Sequence, residues 1–450
     1  NVPVFPANLN GDLACSNGGV LPDGTAIGPC TLKARGTVVD LGNGQLGMNT
    51  NQVRSPMYTW TMGIQHAFGS NASLTVNYVG THASDLSSEI NINQPAPGAA
   101  GGGLVGGVVG TVTGPTQQRQ PYYSQFPWFD GIFVYGPGGF SNYNALQATF
   151  VLRNYHGLTL NAGYTFSRDL ATPKGGNNPY ITNSQCVSCD YGLMSPTQDL
   201  GVTLVYAVPA RKSPAQLLQG WQISSTINAQ SGQPFNGLDG SDDFAGVGGG
   251  RGFFGGASEP WTLVGKGTNF KNIGKLSTVP CFGLPGSSFG AATVGGPGPC
   301  TTVATLPTAC VSAAMSEPVN AAMNTMSPGS SSGLASLNAF GCYMEGGSVI
   351  IPPAQGTFGT MAPGALIGPG FHEWDFSVSK KWTIHERFGL QASMSAFNFL
   401  NVRSYTQGFT GNVVNVPGLF GRSSGQPNDS NPVNGTGGAR QLLLGLKMSF

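Results

Sequence analysis

Residues Gln441–Phe450 read QLLLGLKMSF, and almost every second one is apolar. Leu442, Leu444, Leu446, Met448 and Phe450 fall on one face; Gln441, Gly445, Lys447 and Ser449, joined by Leu443, fall on the other. A period of two marks a strand whose two faces meet different surroundings. The same pattern recurs upstream. Tyr58, Trp60, Met62 and Ile64 alternate with Thr59, Thr61, Gly63 and Gln65. Leu158, Leu160, Ala162, Tyr164 and Phe166 alternate with Thr159, Asn161, Gly163, Thr165 and Ser167. Nine such strands are predicted, at 56–68, 71–81, 143–154, 157–168, 199–208, 217–231, 372–382, 385–399 and 440–450. Most approach the ~9–11 residues of a tilted strand that crosses a membrane.

Composition narrows the reading. Among 450 residues 70 are Gly and 32 are Pro, and charged residues make up 9 %, against roughly 25 % in an ordinary soluble domain. Low charge with 10 % aromatic residues argues against intrinsic disorder. A net charge of +1 argues against a nucleic-acid binder, which needs a basic face. No run reaches the ~18 apolar residues of a membrane-spanning helix. Asn1 to Pro6 carry no Met, basic region or apolar core, so no signal peptide is read there. The polar faces of the strands hold Thr, Ser, Asn, Gln and Gly rather than Lys and Glu. That suits a hydrated lumen inside a lipid-facing wall better than the solvent face of a sandwich.

The connections agree. Short turns are expected near 69–70, 155–156, 209–216 and 383–384, and long Gly/Pro/Ser-rich segments at 82–142, 169–198, 232–371 and 400–439. Outer-membrane barrels pair short periplasmic turns with long extracellular loops. Aromatics cluster near strand ends: Tyr58, Trp60, Phe166 and Trp374 on the loop side, Phe68, Tyr206, Trp221, Trp382 and Phe450 on the turn side. Two interfacial girdles have that distribution. The fold class is therefore all-β, an antiparallel transmembrane β-barrel segment of about nine or ten strands, on the strand length and loop pattern of such barrels. Its divisions are an extracellular segment (1–54), six strands (55–231), a large extracellular loop (232–371) and three last strands (372–450). Strands one and nine both run toward the short turns, so they cannot close an antiparallel seam, and an incomplete barrel is expected.

Several stretches resemble the C-terminal barrel of TonB-dependent outer-membrane receptors, especially the large Oar-like branch. They are Ser55 to Gln65 (SPMYTWTMGIQ), Val76 to Thr81 (VNYVGT), Asn91 to Pro95 (NINQP) and Ser141 to Leu146 (SNYNAL). Leu158 to Arg168 (LTLNAGYTFSR), Gly220 to Phe235 (GWQISSTINAQSGQPF), Gly368 to Ser379 (GPGFHEWDFSVS) and Phe388 to Asn401 continue the series. The terminal Phe450 resembles the signal read by the barrel-assembly machinery. Members of that family also carry a signal peptide, a carboxypeptidase-regulatory-like β-domain, a TonB-contacting segment and a plug, and their barrels have 22 strands. None of those regions, the plug domain included, is recognisable here, and the expectation is the C-terminal piece of a longer protein.

Possible chemical motifs are few. Gly286-Ser287-Ser288-Phe289-Gly290 matches G-x-S-x-G without the strand-to-helix turn that would expose the serine. Gly250 to Gly255 matches G-x-G-x-x-G without a flanking strand and helix. Asp239, Asp242 and Asp243 could hold a hard cation, but an acidic turn is preferred. His66, His82, His156, His372 and His385 lack paired-ligand spacing and read as rim or lumen residues. Glu373, Asp375, Lys381 and Arg387 read as a lumen ion-pair network. No catalytic residue, cofactor or enzymatic activity is expected. Eight cysteines, all in predicted loops, read as disulfides of an oxidising compartment, with neighbour pairs Cys15–Cys30, Cys186–Cys189, Cys281–Cys300 and Cys310–Cys342 favoured. Loop stapling is preferred to a redox or metal pair at Cys186 and Cys189.

The resemblance implies part of a bacterial outer-membrane receptor that takes up a ligand, with lipid, the assembly machinery and the TonB system as partners. A neutral polar lumen favours peptide or carbohydrate over a strongly anionic chelate. The competing reading is a structural or adhesive surface barrel without TonB-coupled import.

Overall fold

The computed structural model describes residues 55–97, 119–122, 133–172, 182–210, 212–239, 244–247, 259–270, 306–317, 332–354, 356–384, 388–402, 404 and 438–450, with short strand pairs at 19–20, 26–27, 47–48, 281–283 and 300–302. Nine long strands form one antiparallel sheet. They are β1 (Met57–Phe68), β2 (Ala72–Asn91), β3 (Phe133–Tyr155), β4 (Leu158–Ala171) and β5 (Gln198–Ala207). The sheet continues through β6 (Trp221–Gln230), β7 (Phe371–Ile384), β8 (Phe388–Phe397) and β9 (Gln441–Ser449). Each pairs with its sequence neighbour, so the order is a plain up-and-down meander. Among the described residues the outer edges of β1 and β9 pair with nothing, and the sheet stays open.

Register carries the alternation across the whole sheet. Met62 is opposite Tyr78, Tyr78 opposite Leu146, Leu146 opposite Phe166 and Phe166 opposite Gln198. That row starts in the middle of β1 and reaches the loop end of β5. Such stagger is the register shift that tilts strands in a barrel wall. Among the described residues no helix is long and apolar enough to cross a membrane.

Three boundaries differ from the sequence pattern. β2 and β3 run about ten residues further toward the loops than 71–81 and 143–154. The extension carries irregular register between Ala83 and Ser87, with Asp85 at φ 53°. Along this extension, HASDLSSEIN, the apolar alternation fades although pairing continues. β6 starts at Trp221 rather than 217, because Pro214–Gln216 form a 3-10 turn closed by Gly220 at φ 70°.

The predicted loop 232–371 contains a packed body. Short strands Thr262–Val264, Cys281–Gly283, Cys300–Thr302, Cys342–Glu345 and Ser348–Ile351 form one sheet. Helices α1 (Thr308–Ser316) and α2 (Ser332–Phe340) accompany it. Phe244, Trp261, Phe270, Tyr343, Ile350 and Leu366 build one core cluster; Cys310, Ala314, Leu337, Cys342 and Ile351 build another.

Candidate functional site

The sheet offers two chemically distinct faces. On the apolar face Tyr58, Met62, Ile64, Leu444, Leu446 and Met448 are each more than 60 % exposed. Such a surface is untenable in water and ordinary in lipid. Tyr58, Trp60, Phe68, Phe166, Tyr206, Trp221, Trp374 and Trp382 all lie on this face by register, toward its two ends. The Trp60 ring lies over Gly80, where an added Cβ would meet it at 2.3 Å. Trp374 donates its indole N–H to Ser225 Oγ at 2.7 Å, which satisfies a hydroxyl on the apolar face. Phe450 is 97 % exposed beyond the end of β9.

One residue on this face escaped the sequence reading, which named Lys381 and passed over Lys380. Lys380 sits in register with Trp221 and is 3 % exposed. Its ammonium donates to the carbonyls of Gln216 and Gln219 and lies 5.4 Å and 5.2 Å from the ring centres of Trp221 and Trp382. The turn before β6 is folded around this cation: Gln216 also bonds Thr383 at both backbone groups, and Trp221 donates to Leu217 O. A break in the apolar alternation beside Gln/Pro turn residues was the available signal.

The polar face holds Thr, Ser, Asn and Gln along its length, and its few charges segregate. Asp169, Asp199, Glu373 and Asp375 lie toward the loop end, Lys381 and Lys447 toward the turn end. Of the predicted ion-pair network, Asp375 and Lys381 are kept apart. Asp375 and Lys381 stand six residues apart on β7, roughly 20 Å at strand rise. Asp375 instead accepts the Asn398 backbone N–H at 2.9 Å, Asp169 accepts Ser195 Oγ at 2.6 Å, and Asp199 accepts Gln230 Nε2 at 3.1 Å. Arg387 lies outside the described residues. Ala83, Ala145, Ser167 and Ala171, all on the polar face near its loop end, are buried. The polar side is therefore covered at this end, and on the opposite face the loop residue Tyr191 stacks on Phe140 and accepts from Asn142 Nδ2, so the loops meet the sheet here.

A knot of buried amides holds them there. Asn91 Oδ1 accepts the Asn93 N–H, and Asn93 Oδ1 accepts that of Tyr122, each at 3.0 Å. Gln94 spans two points of the next loop, donating to Thr182 O at 2.8 Å and accepting from Ser184 N at 2.7 Å. Asp190 accepts the Thr182 N–H at 2.7 Å; burial outweighs that bond and raises its pKa to about 6. Arg119 donates to Ala96 O and to Gly246 O of the packed body. Leu193 N–H donates to Pro363 O at 3.0 Å, and Gly192 is needed there because a Cβ would stand 1.9 Å from that oxygen. In the packed body Glu317, at the end of α1, is pushed up to about 7 by burial.

Two of the four cysteine pairs are formed, Cys186–Cys189 and Cys310–Cys342. Cys281 and Cys300 are register partners in a parallel ladder, while their side chains and Cys15 and Cys30 lie outside the described residues. So do the G-x-S-x-G and G-x-G-x-x-G segments, Asp242, Asp243, the Asp239 side chain and His385. His82 Nδ1 meets Asn142 Oδ1 at 2.7 Å, and His66 and His156 contact Phe68 and Tyr155 edge-on. Among the described residues no three His, Cys, Asp or Glu side chains come together as a metal site.

Against known proteins, the sequence profile of the family described as "Outer membrane beta barrel domain" matches residues 17–442. The chain belongs to that family. Its place is the bacterial outer membrane, and the apolar face is the face toward lipid. No curated protein matches. Similar solved structures include the outer membrane transporter YddB from Escherichia coli, at 10 % identity and TM-score 0.34, with 88 % of this chain and 32 % of that one covered. BauA, the ferric preacinetobactin receptor from Acinetobacter baumannii, matches at 11 % identity and TM-score 0.34, covering 88 % and 29 %. FpvA of P. aeruginosa, bound to heterologous pyoverdines, matches at 10 % identity and TM-score 0.30, covering 88 % and 27 %. This outer-membrane barrel chain thus spans about a third or less of the length of those structures.

Proposed function

We propose that this outer-membrane barrel chain is the C-terminal wall of a TonB-dependent receptor of the Oar-like branch, taking up a peptide or carbohydrate ligand. The observation that carries the reading is the covered polar face near its loop end, where Ala83, Ala145, Ser167 and Ala171 are buried. Loops that roof a lumen suit capture and passage, whereas an adhesin would project them away from the wall. The acidic groups at the loop end of the polar face disfavour an anionic chelate at the mouth. Further strands close the wall in this reading. Because β1 and β9 run in the same direction, their number is odd, giving an even total with antiparallel seams. Segments 1–54 and 232–371 are assigned to the cell surface, and coupling to TonB belongs to regions outside this chain.

The test is uptake in the native host with two fluorescent probe sets, a hexapeptide library and a maltodextrin ladder. Deleting the parent gene abolishes uptake of one set, and a protonophore does the same in the wild type. Uptake that survives the protonophore while requiring the gene defeats TonB coupling in favour of a passive pore. Normal uptake of both sets in the deletion strain, with lost surface attachment, supports an adhesive role instead.

A further inference from the structure

Among the described strand residues the lipid face carries two cations toward opposite ends, Lys380 and Arg168, and of these Lys380 alone is satisfied by the protein. Lys380 is enclosed by carbonyls and indoles. Arg168 is exposed, and no hydrogen bond or ion pair among the described residues engages its guanidinium. It lies three residues short of the loop end of β4, in register with Asn144, Gly80 and Trp60. Tyr78 donates to Asn144 Oδ1 at 2.6 Å, which leaves the Asn144 amide hydrogens as donors beside the guanidinium. The adjoining row toward the turns holds Tyr78, Leu146 and Phe166, exposed by 41 %, 47 % and 51 %. Polar and apolar character therefore change within about 7 Å, two residues along a strand.

We propose that this outward patch binds the phosphorylated headgroup of an outer-leaflet lipid, with Arg168 on the phosphate, Asn144 donating beside it and acyl chains along Tyr78, Leu146 and Phe166. An arginine is costly at the bilayer midplane and nearly free at its interface, which sets its depth at the headgroups. A planar guanidinium with every donor open matches phosphate oxygens in pairs. A soluble anion would satisfy the arginine but leave the apolar strip unused. The proposal rests on the reading of the loop end as the cell surface.

Native mass spectrometry of the full-length protein, titrated with bisphosphorylated lipid A, tests it. Wild type binds at least tenfold more tightly than Arg168→Gln, Arg168→Lys recovers part of the difference, and Asn144→Leu falls between. Inorganic phosphate at millimolar concentration does not compete. Equal binding by wild type and Arg168→Gln overturns the patch, and competition by phosphate overturns the lipid assignment. A Lys266→Cys variant, labelled in intact cells with a membrane-impermeant maleimide, reads orientation separately. Labelling with unchanged Arg168→Gln binding defeats the patch alone; no labelling defeats the surface assignment on which both readings stand.

Discussion

Thr61 and Met62 are chain neighbours near the middle of β1, and they point to opposite sides of the wall. Both are exposed, Met62 by 72 %, so arginine at either position displaces little protein packing. What differs is the medium. Met62→Arg places a guanidinium in lipid five residues from the loop end of β1 and six from its turn end, where the cost is about 2–4 kcal/mol. At ~1.4 kcal/mol per decade this lowers the folded-to-unfolded ratio by about 30- to 800-fold. Thr61→Arg enters the polar face beside the Thr59–Thr81 hydroxyl pair, and its cost stays within about 0.5 kcal/mol, as for ordinary surface changes. Urea unfolding of the full-length protein in phosphatidylcholine vesicles, alongside recovery from the outer-membrane fraction, measures both. Met62→Arg unfolds at markedly lower urea and is depleted from the membrane. Equal loss from both variants would refute the assignment of faces.

Three further outcomes are expected. Mass mapping of protein matured in the periplasm finds the four neighbour disulfides and no free thiol; four or more free thiols contradict it. Gln94→Ala orphans Thr182 O and Ser184 N together, costs about 1–3 kcal/mol, and speeds protease cleavage of residues 172–197 while leaving β1–β9 protected. Burial raises the Glu317 pKa from 4.5 to about 7, so the folded state holds its proton across that window while the unfolded state releases it. Stability of the packed body is thus highest below pH 4.5, falls as pH rises, and levels off above about 7, a difference of roughly 3 kcal/mol. Hydrogen exchange at pH 5 and pH 8, corrected for intrinsic rates, shows the drop, and Glu317→Gln flattens it.

The wall was legible because each strand separates two media, and two media impose a period of two. All nine predicted strands appear, in meander order, and among the described residues the edges are open as the direction count requires. The extra length of β2 and β3 was hidden where the second medium ends. The packed body was hidden for a different reason. Its strands are three or four residues long and its α1, TACVSAAMS, is built of small residues, so neither shows a period. Trp261 and Tyr343 form its core from positions 82 residues apart. The Asn91–Pro95 stretch stood out only as a likeness to a family. Its role depends on partners up to 90 residues away in sequence, which no local pattern records.

The two ends of the wall solve opposite problems. At the turn end the chain is closed tightly: β1 joins β2 through three residues and β3 joins β4 through two, with Gly69 at φ 64° and Gly157 at φ 87°. The one long turn there, between β5 and β6, is clamped on Lys380, whose ammonium donates to the Gln216 and Gln219 carbonyls within the apolar layer. A charge enclosed this way fixes geometry, since removing it leaves the Gln219 carbonyl unsatisfied at the edge of lipid, while Gln216 O keeps only the Gln219 N–H. At the loop end the ties among the described residues include two hydrogen bonds each from Gln94 and Arg119, one contact at Pro363, and a disulfide spanning only Cys186 to Cys189. None of these cross-links one loop covalently to another. In the receptor reading proposed above, rearrangement on ligand capture belongs at this end, against a wall whose opposite rim is held in place.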